Sequence, residues 1–145
     1  MPDLLAKQIA DAMIARVATI SGIGETSIEP RRPENVATFP AAFVMGLEEN
    51  KEPRNLGPMA AKWSTLDVVI GFYVKDLAPL TALCALCKSI QDVIQATPEN
   101  FGMTGVSRPF VTETQLFRAG PPLSDQLGIG HLTVQVKYNE PYGAA

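Results

Sequence analysis

Residues 63–76 read WSTLDVVIGFYVKD. Leu66, Val68, Ile70, Phe72 and Val74 alternate with Asp67, Val69, Gly71, Tyr73 and Lys75, which is the two-residue period of a strand with one face on a core. The chain then runs directly into LAPLTALCALCKSIQDVIQA, residues 77–96. Here Leu80, Leu83, Cys84, Cys87, Ile90 and Ile94 recur at helical spacing and form an apolar stripe, while Lys88, Gln91, Asp92 and Gln95 lie away from it. Asp76 is positioned as an N-cap, Pro79 falls in the first turn where its missing N–H costs little, and Thr97-Pro98 ends the helix.

On the N-terminal side, Leu5, Ile9, Met13, Val17 and Ile20 predict a first amphipathic helix over residues 3–20, with Asp3 as N-cap and Ser21-Gly22 as the stop. Residues 26–33, TSIEPRRP, are extended, but Pro30 and Pro33 cannot donate to a ladder, so this piece is an edge strand or a bent approach. In VATFPAAFVMGLEE, residues 36–49, the residues Phe39, Ala41, Phe43, Met45 and Leu47 share one face of a second strand. Two more strands follow, near 109–117 and 132–138, the last with Leu132, Val134, Val136 and Tyr138 on one side. Residues of about 48–62 and 118–130, rich in charge, proline and glycine, read as long exposed loops. The expected fold is α+β: two helices packed on one mostly antiparallel sheet of about four to five strands, in a single domain over residues 1–145.

Composition narrows the function classes. A net charge of -3 with a pI near 5.1 carries no basic excess of the kind that holds nucleic acid or an anionic membrane. No apolar run reaches the length of a membrane span and no basic region precedes an apolar start, so a soluble cytoplasmic product is expected.

The C-x-x-C at Cys84 and Cys87 invites a redox or metal reading. A redox pair needs its first thiol at a helix N-terminus, and zinc needs two further ligands. Both sulfurs fall on the apolar stripe of a helix interior, and the chain has one histidine and no second cysteine pair, so they read as small core hydrophobes. His131 stands at a loop-to-strand junction and reads as structural. The G-x-G pairs in SGIGETS and LGIGHL lack the strand, turn and helix order of a dinucleotide site. No catalytic residue, metal site or cofactor is expected. The charged groups that remain, Glu48, Glu49, Lys51, Glu52 and Arg54 in the first long loop and Arg31-Arg32 by the edge segment, are candidate contacts with other subunits or partners.

Long polar loops, exposed strand edges and no catalytic constellation suit assembly better than chemistry. The order of elements, with NVATFPAAFVMGLEEN, STLDVVIGFYVKD, LTALCALCKSIQDVIQA and HLTVQVKYNEPY, resembles the tail terminator proteins of long-tailed bacteriophages. That resemblance implies a structural virion protein, not an enzyme, whose subunits form a ring, typically a hexamer, on the head-proximal end of the tail. Such a ring stops polymerisation of the major tail tube protein and joins the head connector or neck protein, and DNA passes through its lumen without specific binding. The resemblance transfers no catalytic residues, only regions: the 48–62 loop and Arg31-Arg32 as contacts. Three other readings stay open: a neck or stopper protein, a small enzyme pairing His131 with Asp125 or Glu113, and an accessory domain that dimerises through a sheet edge.

Overall fold

The computed structural model describes residues 5–30, 32–52, 62–103, 105–118 and 126–140. In chain order the elements are α1 (Leu5–Val17), β1 (Glu25–Ser27), a 3-10 turn (Pro33–Asn35), β2 (Ala41–Glu52), β3 (Lys62–Lys75), α2 (Pro79–Ile94), β4 (Phe110–Arg118) and β5 (Leu127–Glu140). The strands form one sheet in the order β1-β2-β3-β5-β4, antiparallel throughout except for the short parallel pair of β1 and β2. The expected α+β architecture of two helices on a mostly antiparallel sheet is what the chain adopts, with five strands.

β3 holds the centre because its alternation gives it a face to bury. Leu66, Val68, Ile70, Phe72 and Val74 meet Leu132, Val134, Val136 and Tyr138 of β5 under Ile9, Met13 and Val17 of α1 and Leu83, Ile90 and Ile94 of α2. The opposite face of the sheet carries a smaller cluster at one end, where Phe43 and Tyr73 pack with ring centroids 4.8 Å apart beside Val36, Ala41 and Leu127. Burial, and secondarily the charge of Glu34, raises the Tyr73 phenol above its ordinary range.

Glycines on β5 explain the G-x-G that resembled a nucleotide turn. Gly130 lies directly across from Phe72, and a Cβ there would come within 2.2 Å of the ring. Gly128 makes the same room for Leu83 and Val74. These glycines therefore sit inside a strand, and residues 127–130, expected to close a loop, begin β5 instead. The turn after α1 does use glycine for its backbone freedom: Gly22 has φ 86°.

Other expectations are corrected at the element boundaries. Residues 48–52 are not a loop, because β2 continues to Glu52 and β3 starts at Lys62; polar residues occupy both faces where the hairpin leaves the helices behind. Residues 53–61 and 119–125, and with them most of both expected loops, lie outside the described residues, as does the proposed N-cap Asp3. A bulge between Val44 and Gly46 breaks the alternation of β2. Phe43 thus faces the small cluster while Ala42 and Val44 face the helices, and Met45 and Leu47 fall on opposite sides of the sheet, both exposed. Asp76 accepts a hydrogen bond from the Ala78 N–H at 2.9 Å and shapes the turn, while Ala78 itself holds the cap position and Pro79 opens the helix.

Candidate functional site

Two edges and one open face of the sheet are the surfaces this fold leaves for partners. Both helices cover the same side. Across the open side the cross-strand rows run Glu48, Asp67, Gln135, Phe110, then Val69, Thr133, Glu113, then Phe43, Gly71, His131, Gln115. His131 lies in mid-strand, half-buried, not at a loop junction, and its ring meets Phe117 edge-on at 6.0 Å and 86°. With Val69, Glu113, Gln115 and Thr133 it lines a shallow depression of about 200 Å³.

This depression brings His131 and Glu113 to one place, as an acid–base pairing would require, but leaves them unlinked. The Glu113 carboxylate accepts from the Gln115 amide at 2.7 Å, and no hydrogen bond joins it to His131 among the described residues. Asp125, the other proposed partner of His131, lies outside the described residues. No cluster of three or more metal-ligating side chains occurs among the described residues, and no described helix is long and apolar enough to cross a membrane. A larger, mostly apolar groove of about 320 Å³ runs between α2 and the turn after α1, lined by Ile20, Ile23, Phe39, Val74, Ala82 and Leu86 among others.

The expected contact residues divide among several environments. Glu48 and Glu49 stand on neighbouring positions of β2 and therefore point to opposite faces. Glu48 is exposed directly across from Asp67 on the open face. Glu49 turns to the helix side, where its carboxylate accepts the hydroxyl of Tyr138, so it ties β2 to β5 over the intervening β3. Lys51 and Glu52 belong to the same strand, opposite Ser64 and Trp63, with their side chains outside the described set. Arg32 is exposed in extended backbone just before the 3-10 turn, in the connection between β1 and β2. Arg31 and Arg54 lie outside the described residues.

Sequence reasoning missed two groups that matter. Cys84 is exposed and only Cys87 is buried: α2 turns Pro79, Leu83, Leu86, Cys87, Ile90 and Ile94 inward, leaving Leu80 and Cys84 outside. Arg16, from the last turn of α1, closes the C-terminus of α2. Its guanidinium donates to the carbonyls of Ile94 and Ala96 at 2.9 Å each and to that of Pro98, and lies 4.4 Å from the centroid of the Phe101 ring. No local signal marks this contact, because its partners lie about eighty residues away.

No protein-family model and no curated protein matches the chain. Among solved structures, a chain described as part of the virion of a native gene transfer agent particle superposes with a TM-score of 0.58 at 13% identity. The match covers 92% of this chain and 91% of that one. At that identity the likeness is one of fold.

Proposed function

We propose that this chain is a structural, non-enzymatic component of a phage-like virion, and specifically a tail terminator. In this role its subunits form a ring, a hexamer in the expected case, on the head-proximal end of a tail tube. The ring halts addition of the tube protein and presents the surface that the head connector or neck protein binds. The observation that carries the proposal is the fold shared end to end with a chain of a gene transfer agent virion. The surfaces are consistent with it: exposed charged groups stand on β2 and in the β1–β2 connection, and among the described residues the depression at His131 holds no linked acid–base pair. An acidic balance, with pI near 5.1, suits a lumen through which DNA slides without being held.

The test is reconstitution. The purified chain is added to polymerising tail tube protein, and tube lengths and ends are read by negative-stain microscopy, with native mass spectrometry of the chain alone across a concentration series. Rings on one end of tubes that no longer elongate are the expected result. Tubes that grow unchanged beside a chain that binds only the connector would move it to the neck. A monomer or dimer that engages neither would end the virion assignment.

A further inference from the structure

Four of the six large apolar side chains that stand exposed among the described residues lie on β2, next to the short edge strand β1, and on β4, the opposite edge strand. Met45 (38%) and Leu47 (44%) are on β2, and Phe110 (59%) and Phe117 (44%) are on β4. β1 covers β2 only as far as Phe43, so among the described residues β2 beyond it has a ladder on its β3 side alone, and β4 has one on its β5 side alone. A bare row of N–H and C=O groups is a template for another strand, and proteins that remain monomeric guard it with proline, charge or a bulge. Each strand does carry a bulge, at Val44/Gly46 and Val111/Glu113, and charged side chains, but among the described residues no strand pairs with the outer side of the regular runs from Gly46 to Glu52 and from Glu113 to Arg118, and neither run contains proline.

We propose that copies of this chain join head to tail, β4 of one pairing with the outer half of β2 of the next, so that the sheets run on from subunit to subunit. The inference rests on the ring reading and supplies its contact. Strand direction favours it: β4 and β3 run one way and β2 and β5 the other, so two copies whose sheets face alike bring β4 against β2 antiparallel, with straight ladder bonds. Side-chain facing then selects the register. Leu47 and Leu116 both point to the helix side, and setting them opposite one another places Phe117 over Gly46, whose Cβ position has no heavy atom within 4 Å. In the same register Glu48 meets Gln115 and Glu49 meets Thr114, so no carboxylate faces another. Because the contact joins two different edges, it repeats in one direction and makes a ring when the rotation per subunit closes, whereas an isologous pairing of like edges stops at a dimer.

Disulfide trapping tests this contact. In a Cys84→Ser background, which removes the exposed thiol, Glu48→Cys and Gln115→Cys are introduced singly and together, and mild oxidation is followed by denaturing, non-reducing electrophoresis. The double variant should give a ladder of covalent multimers up to the ring number, and each single variant no more than a trace of dimer. Equal cross-linking by a single variant would show like edges meeting and overturn the head-to-tail arrangement. A second pair of variants, Leu47→Lys and Phe117→Lys, should abolish rings by at least tenfold in native mass spectrometry while leaving the far-ultraviolet circular dichroism of the subunit unchanged. Wild-type rings that yield no ladder, or lysine variants that ring as well as wild type, would overturn the contact and leave the ring. A wild-type chain that is monomeric at every concentration, with no ladder, would overturn both.

Discussion

Arg16 shows how much of this fold hangs on single side chains. The last carbonyls of a helix have no partners within the helix and carry the negative end of its dipole, so a guanidinium there satisfies several acceptors at once. Arg16 does this for α2 from the end of α1, locking the two helices together where they meet. Arg16→Ala should cost about 2–3 kcal/mol, since hydrogen bonds from a charged donor contribute more than neutral ones. Arg16→Lys should recover less than half of that, because a point charge cannot reproduce the planar fork. Urea unfolding midpoints at constant slope measure both; a lysine variant as stable as wild type would show that charge alone suffices. Tyr138 is the second such side chain. Its ring is fully buried and its hydroxyl donates to Glu49, so Tyr138→Phe should cost about 1–2 kcal/mol by removing a donor from a part-buried carboxylate. Glu49→Gln, which keeps an acceptor in place, should cost less in the same unfolding experiment.

At the scale of elements, the rotation of α2 makes a prediction about the two thiols. Cys84 should react with a maleimide in the native protein at a rate near that of a free thiol, and Cys87 only on the timescale of opening. Mass spectrometry of a labelling time course separates them, and two equally slow thiols would contradict the helix orientation. Counting cysteine as apolar placed both on one stripe, yet only the second half of α2 is covered along the whole of that stripe. β3 was legible because five buried residues alternate without interruption and both neighbours are antiparallel. β2 was half legible: its bulge moves Met45 and Leu47 out of phase, and its outer half, polar on both faces, has the composition of a loop. The start of β5 was hidden for the opposite reason, since Gly128 and Gly130 are strand residues that yield space to Leu83 and Phe72. The same out-of-phase step gives Glu49 a tie to Tyr138 of β5, which needs the partner strand to be known. Arg32, Glu48 and Glu49 are all exposed, as their polar surroundings suggested.

Across the described residues, the layout of one covered face, one open face and two sheet edges sets a gradient of stability from the middle of the sheet outward. β3 is paired on both sides along its length and roofed by the helices, whereas β4 is paired on one side and mostly exposed, and β1 is three residues long. Amide hydrogens open locally with free energies that rise from near zero at frayed edges to the global value in such a centre. In the dissociated subunit, residues 66–74 and 132–138 should therefore exchange slowest, at rates close to those of global unfolding, and residues 113–118 and 46–50 at least tenfold faster. If the edges are where copies meet, assembly should slow exchange in those two outer segments together and leave the centre, already at its limit, unchanged. Hydrogen–deuterium exchange read by mass spectrometry, on the subunit and on its largest assembly, measures both states on the same peptides. Protection that appears instead along α2, over the groove beside Ile20 and Leu86, would place the meeting surface on the helical side and leave the open edges to the tube or the connector.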